Sequence, residues 1–419
     1  MRSFAICAFW SLLVVNLSAQ RYTTVRKYPL FAESSLHTFV FHFPTENDAY
    51  NDLPERSPWY LPMTSGWKYT VITDESNIPR YATWRYVDTL WKPMRARMAA
   101  NIKTANQGTI IMRKVVPVPE EWYGLQVFVH FDYMSSPVVL WVNGIRIGNS
   151  ATATWGCEWN VTPYLVFGRL NTILLQWDAA QVPMPEMGNA WLYAFPNVAI
   201  WDFYMTVSKN SKNKLVFEAA VLPKTFLPGI EDKYNLEFQL YNRRGQQVIF
   251  AKRKGIKPAE AKWVTLQQIL PAYNIWEADT PYWYTAIFVL KNKDNETVDA
   301  VKYRIGIRDI KYNDTALQIN SQLWPIDSLL QINLYTIQPT FLTNYPYRWQ
   351  IFDLTPRSSG DDDLLKAIEK QVLSFRNYTP IAAWLITQKI PAEKQQSIVD
   401  LIQKLDNSRP ILWASPPNR

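Results

Sequence analysis

Cysteine is almost missing from this chain. Of the 2 present, Cys7 falls in the first apolar segment, so Cys157 is expected to stand alone in the mature protein, which excludes an internal disulfide framework. Histidine is as scarce, and the 3 residues His37, His42 and His130 lack metal-ligand spacing, so they read as structural and no metal or cofactor is expected. There is no nucleophile elbow, phosphate loop or zinc spacing. After residue 19 no run approaches about 18 uninterrupted apolar residues, so no membrane span is expected. The formal charge of +8 is scattered. Its densest cluster, Arg243, Arg244, Lys252, Arg253 and Lys254, surrounds a predicted hairpin and reads as a solvated turn, so a nucleic-acid partner is not expected.

Glycine is also low, at 13 residues, while aromatic residues make up 15% of the chain, a balance that favours packed β layers over flexible loops. Met1 to Ala19 has a basic start at Arg2, an apolar middle from Phe4 to Leu17 and small residues at its end. That pattern predicts a cleaved secretory signal and a secreted or periplasmic mature protein. From Leu125 the sequence alternates: Leu125, Val127, Val129, Phe131 and Tyr133 are assigned to a buried face, and Gln126, His130 and Asp132 to a polar one. Val138 to Val142, Asn143-Gly144 and Ile145 to Gly148 read as a tight hairpin, because Asn-Gly accepts the positive φ angles such a turn needs. Ile173, Leu175 and Trp177 continue the pattern, and short strands at this spacing predict a jelly-roll sandwich over residues 20–204.

A second alternating set runs through Leu215, Phe217, Ala219 and Val221, then Leu236, Phe238 and Leu240, then Tyr284, Ala286, Phe288 and Leu290. It predicts an immunoglobulin-like sandwich over residues 205–308, with turns at Asn242 to Gln246 and Asn292 to Glu296. After Asp309 the period changes. Leu364, Leu365, Ile368, Val372 and Phe375 have helical spacing, as do Ile398, Leu401, Ile402 and Leu405, with Pro391 placed in a first turn. The apolar runs Ile381 to Ile386 and Ile411 to Ala414 alternate with these helices, which predicts parallel α/β units over residues 309–419. The fold class is therefore mainly β with a C-terminal α/β segment. Asp361-Asp362-Asp363 reads as the acidic start of a helix.

This order of parts resembles glycoside hydrolase family 2, the β-galactosidase, β-glucuronidase and β-mannosidase group. Met112-Arg113-Lys114 to Pro117, Trp122-Tyr123-Gly124, Phe131-Asp132, Trp141-Val142-Asn143-Gly144 with Gly148, and Trp159 to Leu165 match the family's sugar-binding-domain pattern. Trp276, Thr280-Pro281, Tyr282, Tyr284 and Tyr303 to Arg308 look like the segment leading into its barrel, and Leu317 to Ile326 is similar to the first barrel strand region. Asn344-Tyr345-Pro346 with Phe352-Asp353-Leu354 faintly resembles a later barrel loop. The most specific match, Arg376 to Trp384, is similar to the stretch entering the strand that bears the family's acid/base. Leu405 to Pro410 then fits the next helix end without a gap.

The resemblance implies that a Glu should stand five positions after Trp384, preceded by Asn. Gln388-Lys389 occupies those places, so Lys389 replaces the acid/base. The resemblance also implies a nucleophile farther along than Arg419. A retaining glycosidase needs two carboxyl groups about 5–5.5 Å apart, and a closed (β/α)₈ barrel needs about 250 residues, far more than Ile319 to Arg419 supplies. A truncated, degenerate barrel and a catalytically inactive protein are therefore expected. Asn189-Ala190-Trp191-Leu192-Tyr193 occupies the place of a family run ending in Arg, so Trp191 and Tyr193 are the candidates to stack on a sugar ring, with packing against the next domain as the alternative. Trp122, Trp141 and Trp159 look like core.

Three functions stay open on sequence. One is a secreted binder of carbohydrate or of an envelope protein through the β domains. Another is an assembly module that uses the barrel remnant as its interface. The last is an active β-glycosidase with unrecognised or partner-supplied carboxylates.

Overall fold

A computed structural model describes residues 37–94, 108–132, 134, 137–150, 157–178, 187–313, 316–332, 348–355, 361–387 and 390–413. The first β layer pair joins a six-stranded sheet to a four-stranded one. The six-stranded sheet runs Lys92–Pro93, Lys68–Ile72, Thr109–Val118, Arg169–Asp178, Val139–Val142 and Ile145–Asn149, in that spatial order. The other runs Tyr60–Pro62, Ala190–Phe195, Gln126–Phe131 and Cys157–Asn160. Between them lies one apolar core containing Trp67, Trp122, Val127, Phe131, Trp159, Leu175 and Trp177. Trp122 and Trp159 are core as expected, and Trp141 is half-buried on the outer side. Asn143 and Gly144 take φ of 51° and 88°, the paired positive angles of the expected hairpin turn.

Gln126–Phe131 differs from the one-sided strand that alternation predicted. Val127, Val129 and Phe131 enter the sandwich core, but Phe128 on the opposite face is only 3% exposed. A second apolar layer made by Phe128, Trp191, Tyr193, Phe195, Ala199 and Trp201 covers that face. The polar face is thus interior.

The immunoglobulin-like sandwich follows. One sheet runs His42–Phe43, Thr297–Ile305, Tyr284–Lys291, Tyr234–Tyr241 and Gln247–Ile256; the other runs Val198–Lys209, Leu215–Thr225 and Val264–Ile269. Every apolar position predicted for this domain from Leu215 to Leu290 lies in its core. Asn242 and Asn292 organise the two expected turns, each accepting on its Oδ1 from backbone N–H groups two and four residues on. Position 205, where the domain was expected to begin, falls inside the strand Val198–Lys209. His42–Phe43, from the segment assigned to the first sandwich, pairs with Val301 and Ala300 at the edge of this second one.

The C-terminal part holds four parallel strands in the order Leu330–Ile332, Gln350–Asp353, Ile381–Ile386 and Ile411–Trp413. Helices Asp361–Phe375 and Ala392–Leu405 connect successive strands, so the predicted α/β units form, and the described strands make an open four-stranded sheet. Ile368, Val372, Phe375, Ile398 and Ile402 bury one face of the sheet with Phe352 and Trp384, while Leu365 is left 41% exposed. Pro391 stands at the N-cap of the second helix. On the other face Ile351, Ala383 and Leu412 pack against Trp276, Leu317, Ile319 and Trp349.

The region expected to resemble a first barrel strand, Leu317 to Ile326, is instead part of an antiparallel meander of Ile310–Asn313, Ala316–Ile319 and Gln322–Pro325. Asn320 and Ser321 take φ of 50° and 72°, closing a two-residue hairpin that a parallel crossover does not permit. Asn344 to Pro346 lie outside the described residues.

Candidate functional site

In open and closed parallel α/β sheets alike, ligands gather at the carboxyl ends of the strands. Here that rim carries Asp353, the last residue of Gln350–Asp353, and Thr387, the residue after Ile381–Ile386. The Thr387 hydroxyl donates to Asp353 Oδ2 at 2.9 Å, and the Thr355 N–H donates to Asp353 Oδ1 at 2.9 Å. Thr387 N–H donates in turn to Thr355 Oγ1 at 2.8 Å, which closes the loop ends together. Both oxygens of Asp353 are therefore engaged in fixing the rim. Gln388 and Lys389, the positions of the expected acid/base exchange, lie outside the described residues, immediately beyond Thr387.

The motif leading into that strand does a different task. Arg376 Nη2 donates to Asp202 Oδ1 at 2.6 Å and to the Phe203 carbonyl at 3.2 Å, and Asn377 Oδ1 accepts from Met205 N–H at 2.9 Å. Trp384 Nε1 donates to Asp406 Oδ2 at 2.9 Å, and the Tyr204 hydroxyl donates to Asp406 Oδ1 at 2.6 Å. Burial alone would raise the pKa of Asp406, but Arg409 beside it and the Tyr204 and Ser408 hydrogen bonds bring it below the usual carboxylate range. Arg376 to Trp384 and Leu405 to Pro410 thus join the C-terminal segment to the immunoglobulin-like strand Val198–Lys209. The second-domain motif is tied in as well: Trp276 N–H donates to Ile307 O at 2.7 Å, and Gly306 N–H donates to Thr379 Oγ1 at 2.8 Å. A side chain at Gly306 would place its Cβ 2.5 Å from the Trp276 ring, which is why only glycine fits this crossing.

Trp191 and Tyr193 do not face solvent. They are 0% and 2% exposed, which corrects their assignment as sugar-stacking residues: the inner sheet on which they lie is covered by residues 37–43 and by Phe195 and Trp201, so no ring face is open to a ligand. The packing alternative holds. Around them is a buried ionic cluster, of which alternation assigned His130 and Asp132 to the polar face of their strand. Glu158 Oε2 is 2.9 Å from His37 Nε2, and its Oε1 is 3.0 Å from His130 Nδ1 and accepts from the Tyr193 hydroxyl at 2.6 Å. His130 Nε2 lies 3.4 Å from Asp132 Oδ1, and Trp191 stacks on the His130 ring at 4.2 Å. Burial opposes charge on Glu158, yet His37 and His130 hold its pKa well below the ordinary value. Burial likewise disfavours charge on His130, but its hydrogen bonds to Asp132 and Glu158 win and raise its pKa. Among the described residues no three or more His, Cys, Asp or Glu side chains are arranged so that they could hold a metal ion. Cys157, next to Glu158 in sequence, faces the sandwich core instead and is a free, buried thiol.

Two sandwiches followed by parallel α/β units, joined through these motifs, define a β-glycosidase-like architecture. Comparison with known proteins agrees. The description Glycosyl hydrolases family 2 matches residues 198–308. A β-galactosidase of Priestia megaterium is 24% identical over 216 residues, covering 48% of this chain and 21% of that protein. One of Psychromonas ingrahamii is 23% identical over 240 residues, covering 52% and 22%. The crystal structure of Bacteroides uniformis β-glucuronidase is similar with a TM-score of 0.70 at 15% identity, over 84% of this chain and 52% of that one. A β-glycosidase from Bacteroides vulgatus gives 0.68 at 16%, over 86% and 55%. The chain is a glycoside hydrolase family 2-like protein. It spans about a fifth of the curated relatives' length and about half of the solved structures'.

Proposed function

We propose that this protein retains the family 2 scaffold without its hydrolytic chemistry and acts as an exported carbohydrate-binding protein. The observation that carries this is Lys389, which stands where the resemblance places the acid/base Glu. An ammonium cannot serve as the carboxylic acid that protonates a glycosidic oxygen, and general acid catalysis is worth about 10²–10⁴ in rate. The rim supports the same reading, since the Asp353 carboxylate is occupied with Thr387 and the Thr355 backbone. Export rests on the basic, apolar and small-residue order of Met1 to Ala19.

A second reading, an assembly module for an envelope complex, is favoured by one observation. Leu330–Ile332 and Ile411–Trp413 each pair on one side only among the described residues, leaving two sheet edges for a partner chain or a second copy. Affinity electrophoresis in gels containing galactan, mannan, xylan or β-glucan decides between them, run alongside reducing-sugar release from the same polymers. Retardation without release is expected. Equal mobility in every gel, with a protein co-purifying from the native envelope, would favour the assembly module, and release would restore the active glycosidase.

A further inference from the structure

We infer that a cleft in the C-terminal segment, between helix Ala392–Leu405, strand Ile411–Trp413 and Tyr312, binds a neutral oligosaccharide. This rests on the carbohydrate reading above and relocates its site, because the sandwich aromatics Trp191 and Tyr193 are closed to solvent. The cleft has a volume of about 610 Å³, within the range of about 300–1,000 Å³ common for small-ligand sites. Asp353, Thr355 and Thr387 do not line it, so it is separate from the strand-end rim.

Its chemistry points to one ligand class. Tyr312 is 42% exposed and Trp413 is half-buried, giving the cleft two flat aromatic surfaces. Gln403 and Asn407 are exposed on its wall, and a carboxamide can both donate and accept, as a sugar hydroxyl does. The one charged residue in the described lining is Arg409, and its guanidinium is already committed. It donates to the carbonyls of Ile381 at 2.8 Å, Arg376 at 2.6 Å and Tyr378 at 2.8 Å, and to Asp406 Oδ2 at 2.5 Å. With that cation neutralised inside the fold and no acid among its described lining residues, the cleft offers aromatic faces and neutral hydrogen-bonding groups. An anionic ligand would find no counter-charge. A polyhydroxylated neutral chain, with apolar C–H faces and hydroxyl edges, matches both sets of groups.

Isothermal titration of the full mature chain with neutral cello-, manno-, xylo- and galacto-oligosaccharides, and with oligogalacturonate as the charged probe, tests this. One neutral series should bind. Trp413→Ala should weaken it about tenfold, a stacking loss of ordinary size once buried area is included. Gln403→Ala, on an exposed helical position, should weaken it about three- to fivefold with unchanged thermal melting. If Trp413→Ala fails to fold, Tyr312→Ala replaces it as the aromatic variant. Neutral-glycan binding unaffected by Gln403→Ala and by the aromatic variant would overturn the cleft while leaving the carbohydrate reading intact. Binding of none of the probes would overturn both, and preference for oligogalacturonate would overturn the neutral-ligand assignment.

Discussion

Glu158, at the covered face of the first sandwich, shows how a polar strand face becomes interior. Three groups converge on its two oxygens, so Glu158→Gln would turn one acceptor into a donor facing a histidine N–H. Removing one member of a buried charge cluster costs about 3–5 kcal/mol, and a urea titration of the variant should show a loss of that order. The pH dependence follows from the directions of the two shifts. Glu158 is depressed from 4.5, so its contribution is present above 4.5 and is lost as pH falls through its folded value. His130 is raised from 6.5, so its contribution is complete below 6.5 and is lost as pH rises through its folded value. The cluster therefore stabilises most between 4.5 and 6.5. The wild-type urea midpoint should fall from near pH 6 to near pH 9, and by less in His130→Asn; equal falls in the two proteins would remove the cluster from the account. The sequence did contain a sign of this burial. Phe128 shares a strand face with Gln126 and His130, and a large aromatic there is out of place on a solvated surface.

Elements read well from sequence wherever period and turn chemistry agreed. The hairpin at Asn143-Gly144, the strands from Leu215 to Leu290 and both C-terminal helices formed where they were predicted, because each had local alternation or helical spacing plus its own turn. What local patterns could not supply was which element covers which. Residues 37–43 cross from one sandwich to the other, and Leu317 to Ile319 plug the second face of the parallel sheet; both facts depend on contacts distant in sequence. The same holds for the Arg376 motif, legible as a family signature but not as a tie to Asp202, 174 positions away. That tie makes a prediction at this scale. Arg376→Ala leaves the Asp202 carboxylate buried without its cation, at a cost of about 3–5 kcal/mol. Hydrogen exchange should then quicken in helix Asp361–Phe375 and in strand Val198–Lys209, while Arg169–Asp178 in the first sandwich keeps its protection. Unaltered exchange in the helix would show that the contact does not hold the two parts together.

At the scale of the molecule, the fold is similar to that of family 2 β-glycosidases, and the proposal is that this scaffold has lost its hydrolytic chemistry. The strand Ile381–Ile386, which Arg376 to Trp384 enters, is present, and under the proposal Lys389, by resemblance the acid/base position, changes the chemistry on that element. Its neighbour Asp353 is fixed by hydrogen bonds within the rim. Returning a carboxylate to position 389 would supply one group where two at a defined separation are needed. The most direct measurement is therefore the hydrolysis of nitrophenyl β-galactoside, β-glucuronide and β-mannoside by the purified wild type and by Lys389→Glu. Neither protein should release nitrophenol above the uncatalysed rate. Turnover by the wild type would contradict the loss of hydrolytic chemistry, and turnover by Lys389→Glu alone would reveal a second carboxylate still in place.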